Sequence, residues 1–577
     1  MTVPEQKAKR NESRETHGGG GCPAGHQWSP AASAIRAFIR DLADVVSARV
    51  ANNTASFFAD RQFLVWLLAW VIGLAGGLAT VAFRGLIGFF QLPWLGSDSE
   101  LVLSLSRVVP WWAILFAPAI GGLIVGLLLT FFVPGRRAQA VADVIEARAI
   151  GDCKIRLSAG LWSALVAALS LGSGASAGRE GPVVHLGATL ASFVENRFKL
   201  SPGSRRTLLA SGVAAAVSAS FNAPVAAVLF AHEVILAHFA PRALVPLVIS
   251  SVTSTVITRL HYGDFPAFVI PRHQITSYLE FPAFALLGLV CAVVVILFEA
   301  ALVLTDRVAF RIEMPLWVRP MLGGLMVGAI ALVFPHVLGV GYEATDAALS
   351  GQLPLWLLLS LILAKTAATA ITIASRFGGG IFSPSIYLGA MTGGAFGVMA
   401  ASAFPDVGAS EGLYAILGMG AVASAVLGAP FSTTLIVFEL TRGWDITIAL
   451  LLTIAICNGL TSAVLGGSFF HWQLARRGLV LDAGPHQEIM RRFYVRDFMQ
   501  LSDPGSPLPA PLAADSPRLL PGETLGHALR MFDAHGLTRI PVVSPEDPSR
   551  IIGFARRVAA LGTYNKALVE SHEEGHR

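Results

Sequence analysis

One short passage occurs twice in this chain, and that repetition limits the fold more than any other feature. Gly212, Pro224 and Glu233 mark it in GVAAAVSASFNAPVAAVLFAHE, and Gly418, Pro430 and Glu439 mark it again 206 residues on in GMGAVASAVLGAPFSTTLIVFE. Upstream of each copy stands a G-x-x-x-P element, Gly178 to Pro182 in GREGP and Gly380 to Pro384 in GIFSP. The chain is therefore two related halves. Repeated halves with helices started or broken by Gly and Pro are the pattern of membrane transport proteins, whose substrate site lies where the halves meet.

Composition agrees with a bilayer setting. Of 577 residues, 54% are hydrophobic and 14% charged, and the mean hydropathy is +0.63, more apolar than a soluble core requires. Runs over roughly 63–90, 108–133, 281–304, 317–338, 353–375 and 444–466 are long enough to cross a membrane. Other apolar segments are short or interrupted, so their free backbone groups must be packed in protein or line a wet cavity.

The net charge of +5 acquires meaning from its distribution. Lys7, Lys9, Arg10, Arg14, Arg36, Arg40 and Arg49 precede the first span, which predicts a cytoplasmic N-terminus without a cleavable signal. The basic residues are scattered and lack aromatic partners, which argues against a nucleic-acid ligand. Cys22, Cys153, Cys291 and Cys457 are far apart, and two of them fall in apolar runs, so no disulfide framework is expected. The tract His17 to His26, HGGGGCPAGH, has side chains that can bind metal, but its glycines read as a flexible tail.

Four regions follow. Residues 1–60 form a polar, partly disordered lead-in, 61–480 the membrane domain, 481–521 a Pro-rich linker, and 522–577 a small α+β tail. The linker is stiffened by Pro504, Pro507, Pro509, Pro511, Pro517 and Pro521. The tail has a helix-like TLGHALRMFDAHG and strand-like RIPVV and IIGFA around the turn SPEDPS. It is too small to be stable alone, so it is expected to lean on the membrane domain or on its twin in a dimer.

GREGP and GIFSP each read as the opening of a helix, with Gly allowing a tight backbone and Pro suited to the first turn. Two helix N-termini converging at the midplane would form an anion site without Lys or Arg, one that holds an anion loosely enough to release it. Glu180 lies inside the first of these motifs. Ionised, it would compete for the site as a tethered anion; protonated, it would leave, which makes it a gate. The bland reading is a structural carboxylate paired with Arg179. Ser176 lies in a G-x-S-x-G pattern and gives a remote alternative, an intramembrane serine hydrolase.

The blocks GREGPVVHLG, FNAPVAAVLFAHE, Lys365 leading into FGGGIFSPSIYLGA, and GAPFSTTLIVFELT together resemble those of CLC chloride channels and chloride/proton antiporters, in the family's order over roughly residues 60–480. The resemblance implies an all-α polytopic membrane protein of two inverted-topology repeats, a homodimer with one anion pathway per subunit, and a gating carboxylate at Glu180. Transport rather than enzyme catalysis is implied, with chloride as transported ligand and no cofactor. Backbone around Gly178, Arg179 and Gly181, and around Gly380, Ile381 and Phe382, would hold the anion. A multi-pass protein of a bacterial inner membrane with both termini cytoplasmic is expected.

Departures from the family pattern sharpen the expectation. Gln139 stands at the family's anion-binding serine and Ala142 at the proline of that block, so a side-chain amide replaces a hydroxyl. Phe470 takes the position of a pathway tyrosine and offers no hydroxyl. Val234 occupies the position where antiporters carry an internal proton-accepting glutamate. The reading is therefore passive, voltage- or pH-gated chloride conduction, with proton-coupled antiport as the alternative; its proton route could use His232, which otherwise reads as a core histidine. The tail resembles a single CBS motif. Ala555 and Val558 stand at its ribose-binding positions, so nucleotide binding is not expected.

Overall fold

The computed structural model describes residues 61–150, 152–264, 278–403, 411–441, 444–479, 484–501, 516–547 and 550–576, together with residue 268 and short helical stretches between 38 and 58. The tract His17 to His26 and most of the Pro-rich linker lie outside the described residues. Contacts divide the chain into two compact units, Met1–Phe63 and Leu64–Arg577. The first contributes helical stretches only.

Among the described residues, 7 helices are long and apolar enough to span a membrane. They are Gln62–Leu95, Trp111–Phe131, Pro241–Tyr262, Phe281–Arg311, Leu355–Ala374, Phe382–Ala403 and the stretch Ile446–Arg476. Large apolar side chains such as Leu78, Phe89, Leu260, Leu297 and Leu363 point outward, as a lipid-facing surface requires. The chain is a multi-pass integral membrane protein.

Two of these spans are not visible as long apolar runs. Pro241–Tyr262 carries ISSVTSTVIT, whose hydroxyls bond back into the fold: Thr253 Oγ1 donates to the Ile249 carbonyl at 2.7 Å and Ser254 Oγ to that of Ala215 at 2.7 Å. Phe382–Ala403 is rich in Gly, Ala, Ser and Thr and is largely enclosed by protein. Conversely, the apolar run at 317–338 forms a helix of only 16 residues, Val318–Val333, followed by a 3-10 turn at Pro335–Val337.

The sequence repeat is a repeat of contacts. Glu233 accepts hydrogen bonds from the backbone N–H of Phe431 at 3.1 Å and of Ser432 at 2.8 Å. Glu439, its counterpart, accepts from Val225 at 3.1 Å and Ala226 at 2.8 Å. Each half thus caps the N-terminus of the equivalent helix in the other, Pro430–Thr441 and Pro224–Phe230, which is the reciprocity of a two-fold relation. Helix packing repeats too. Gly187 meets Gly212 in the first half and Gly389 meets Gly418 in the second, and in both pairs a methyl group would fall 2.3 Å from the facing carbonyl oxygen. Only glycine allows backbones this close.

The tail is a three-stranded antiparallel sheet, β1 (Gln500–Leu501), β2 (Arg539–Val543) and β3 (Ile551–Arg556), in the order β1-β3-β2. The helix Leu525–His535 is N-capped by Thr524, whose hydroxyl accepts from the His527 N–H at 3.3 Å, and stops at Gly536 with φ of 63°. Leu519, Leu525, Phe532, Ile540 and Val542 make its own core. Ala555 is buried on β3 opposite Ile540, whereas Val558 is exposed in the first turn of the helix Arg557–His576. Arg492 ties this region to Asp152 at 3.2 Å.

Candidate functional site

The two G-x-x-x-P loops meet back to back. Gly178 N–H donates to the Gly380 carbonyl at 2.7 Å and Gly380 N–H returns a bond to the Gly178 carbonyl at 2.8 Å. This bridge fixes the starts of the helices Glu180–Glu195 and Phe382–Ala403 side by side. Gly181 packs against Gly380 so closely that an added methyl would lie 3.1 Å from its Cα, with the Ala140 methyl next at 3.8 Å. The segment carrying Gln139 therefore reaches the same junction, and the Gln139 N–H is anchored by Ser163 Oγ at 3.1 Å.

Glu180 lies at the centre and is 1% exposed. Its Oε1 accepts from the Tyr342 hydroxyl at 2.5 Å, and its Oε2 accepts from the Ser383 hydroxyl. Among the described residues no backbone N–H caps the carboxylate, unlike Glu233 and Glu439. Hydroxyls can donate equally to a carboxylate or to another anion in its place, so the arrangement suits a group that is exchanged for an ion.

Arg179 points away from this position. Its Nη1 donates to Glu100 at 2.6 Å, its guanidinium lies over the Tyr342 ring at 4.6 Å, and its Nε stands 3.8 Å from Glu180. Its principal ion pair is with Glu100, not with Glu180. Glu100 also pairs with Arg84 at 2.9 Å. Burial works to raise its pKa, but the two guanidiniums outweigh that and hold its carboxyl below the usual carboxylate range. Arg84, Glu100, Arg179, Tyr262, Tyr342 and Glu343 line a cavity of about 270 Å³ that leads toward Tyr342.

The loop preceding Tyr342 is held by Lys365, which is fully buried and donates to the carbonyls of Val337 at 3.1 Å and Gly339 at 3.0 Å. Ile381 and Phe382 are buried, and Phe382 packs on Phe221 at 4.9 Å between ring centres. Phe470 is buried on the helix Phe469–Arg476, which packs on Val141–Ala149. On that helix Asp143 is shared by Arg137 at 2.5 Å and Arg477 at 3.0 Å.

Val234 is half-buried in a π-helical turn, Ala231–Leu236, packed on the main core. His232 in the same turn donates from Nδ1 to the His238 carbonyl at 2.9 Å and stacks on Phe239, the environment of a satisfied core histidine. Ser176 is fully buried with its hydroxyl 3.4 Å from that of Thr369, a partner that cannot act as a base. Tyr342 and Ser383 are not among the residues singled out from sequence. Ser383 lies inside GIFSP and its hydroxyl was the available signal; Tyr342 contacts Glu180 across 162 residues with no local pattern to announce it.

Comparison with known proteins agrees with this geometry. The family model described as voltage gated chloride channel matches residues 121–462. A ClcB-like protein of Ralstonia nicotianae is 34% identical over 391 residues, covering 67% of this chain and 90% of its own. A Yersinia pseudotuberculosis protein named H(+)/Cl(-) exchange transporter ClcA is 29% identical over 436 residues, 72% of this chain and 88% of the relative. The crystal structure of a slow cyanobacterial Cl-/H+ antiporter shares the fold, with a TM-score of 0.63 at 23% identity over 72% of this chain and 97% of that one. The chain belongs to the voltage-gated chloride channel family, the CLC family of membrane anion transport proteins.

Proposed function

We propose that this protein exchanges chloride or a similar small anion for protons, with Glu180 as the moving carboxylate. The observation that carries the reading is the way Glu180 is held, by two hydroxyls at the junction of two helix starts rather than by a fixed backbone cap. Protonation weakens its attraction to those helix starts and frees the position for an anion. The amides of Glu180 and Gly181 and of Ile381 and Phe382, beside the spent Gly178–Gly380 bridge, then face that anion, with the Gln139 amide toward Asp143 and Phe470 narrowing that side without a hydroxyl. Proton movement is thereby tied to anion movement through one site.

Passive conduction, the expectation from Val234 and from the hydroxyl missing at Phe470, rests on those two positions. The exchange reading is favoured by the relative named as an H(+)/Cl(-) exchange transporter. We place the basic face that bears Arg197, Lys199, Arg205 and Arg206 in the cytoplasm by the positive-inside rule, and a second copy against the apolar face of Val245, Val248, Val252 and Val256. In liposomes with a chloride gradient and no pH gradient, chloride efflux should drive protons uphill at a fixed ratio. Glu180→Gln should stop the protons and keep the anion flux. Efflux from the wild type without any proton movement would establish passive conduction instead.

A further inference from the structure

We propose that protons reach Glu180 along its own helix, from Glu195 through His185, on a route that bypasses Val234. This rests on the exchange reading above. Gly181, His185, Thr189 and Ser192 recur at spacings of four, four and three, which puts them on one face of the helix Glu180–Glu195. Glu195 closes the stripe one turn beyond Ser192. All of this is inside the protein: His185 is 1% exposed, and Thr189, Ser192 and Glu195 are 0% exposed.

The polar atoms at the two titratable positions are open, with the Arg205 ion pair at 3.6 Å on Glu195. Among the described residues, neither ring nitrogen of His185 and neither carboxylate oxygen of Glu195 has a hydrogen-bond partner. A buried polar group without a partner costs free energy, so a histidine kept for structure alone should have found one. His232 shows what that looks like, with its Nδ1 on the His238 carbonyl. An imidazole left open on both sides can instead accept a proton at one nitrogen and release one from the other.

Position along the helix gives the order. His185 lies about 7.5 Å along the axis from Glu180, and Glu195 about 15 Å further toward the basic loop. The hydroxyls of Thr189 and Ser192 stand between them. Thr189 donates to the His185 carbonyl at 2.8 Å and retains lone pairs toward a bridging water, whereas Ser192 donates to the Cys153 carbonyl at 2.8 Å and already accepts from the Ile155 N–H at 2.9 Å and the Asn196 side-chain amide at 3.4 Å. A proton taken up by the Glu195 carboxylate passes to one His185 nitrogen, the opposite nitrogen gives its proton to the Glu180 carboxylate, and the neutral ring is restored by turning.

The charges facing this route come from three sides. Asp143 and Arg137, at the helix Val141–Ala149, are the charges that act on His185. Arg205, on the helix Pro202–Phe221, stands 3.6 Å from Glu195. Cys153 feels the charge of Glu195, and Arg205, Arg206 and Arg148 act in turn on Cys153. The helix Pro202–Phe221 brings Gly212 and Ala216 against Gly187, and Leu157–Gly172 brings Gly160 against Thr189.

The test uses the full chain in liposomes, with chloride efflux and proton movement recorded together. His185→Gln and Glu195→Gln should each lower proton movement roughly ten-fold or more while chloride efflux stays within about two-fold, and Glu195→Asp should restore proton movement. The Asp rescue keeps the inference testable if His185→Gln does not fold, because a structural role for Glu195 predicts no dependence on a titratable group. A wild type that moves protons together with Gln variants that keep the same ratio would overturn the route and leave the exchange reading standing. A wild type that moves no protons would remove the exchange reading and the route with it.

Discussion

The two halves of this protein meet in two places, and the meetings differ in symmetry. At Glu233 and Glu439 the backbone contacts are mirrored, each carboxylate capping the equivalent helix of the other half at 3.1 and 2.8 Å, with the Ser432 hydroxyl adding a donor to Glu233 that Ala226 cannot give Glu439. At the G-x-x-x-P loops the backbone bridge is mirrored, but the side chains are not. The residue 202 positions after Glu180 is Phe382, and the one 202 after Gly181 is Ser383. The first half therefore supplies a carboxylate without a counterpart, and the second half supplies one of the hydroxyls that hold it. Symmetry carries the scaffold, and its local loss falls where the proposed exchange site lies.

The largest effects should come from breaking the mirrored caps. Each carboxylate accepts two charge-assisted hydrogen bonds from backbone N–H groups, worth about 1.5–3 kcal/mol apiece, part of which solvent returns at a half-buried site; Glu233 accepts a third from the Ser432 hydroxyl. Glu233→Gln and Glu439→Gln should each cost about 2–4 kcal/mol, read as losses of thermal stability and of monodisperse yield, with Glu233→Gln at the upper end. If one were costly and the other neutral, the caps would not be equivalent and the comparison would fail.

Next come the glycine crossings. A methyl at Gly187 or Gly389 meets a carbonyl oxygen at 2.3 Å in both halves, and forced overpacking of this kind costs about 1–3 kcal/mol. Gly187→Ala should nevertheless differ from Gly389→Ala in one respect. The first lies on the helix that starts with Glu180, so it should also change proton movement in liposomes, while the second should lower stability with the proton-to-chloride ratio unchanged. Equal functional effects would mean that the asymmetry does not extend along the helices.

Much of this was legible in the chain because local chemistry enforces it. The repeated Gly, Pro and Glu positions mark a helix crossing, a helix start and its cap, and each has the same physical reason in both halves. Glu180 stood out because an acid inside a helix-opening motif of an apolar chain is costly. Other features depend on distance in sequence. The contacts from Tyr342 and Ser383 to Glu180 cross 162 and 203 residues, and the anchoring of the Tyr342 loop by Lys365 depends on carbonyls 28 and 26 residues away. Spans were hidden where hydroxyls replace aliphatic surface. In Pro241–Tyr262 those hydroxyls bond to backbone carbonyls, so the helix is less polar in place than its composition suggests.

The smallest and most diagnostic change is the removal of a single hydroxyl from the unmirrored site. Tyr342→Phe keeps the ring between Arg179, at 4.6 Å, and Phe268, at 4.9 Å, so its packing should survive. What is lost is a donor to ionised Glu180. Hydrogen bonds to the charged form favour that form, so without the hydroxyl acid releases the carboxylate more readily. The pH of half-maximal chloride flux should move upward. Ser383→Ala should shift it in the same direction. Ser383 also stands at the start of the second helix, where it can donate to the arriving anion, so its loss should lower maximal flux as well, whereas Tyr342→Phe should not. If both variants changed flux without moving the pH of half-activation, Glu180 would not be the group whose release opens the site, and the unmirrored junction would be structural like the caps.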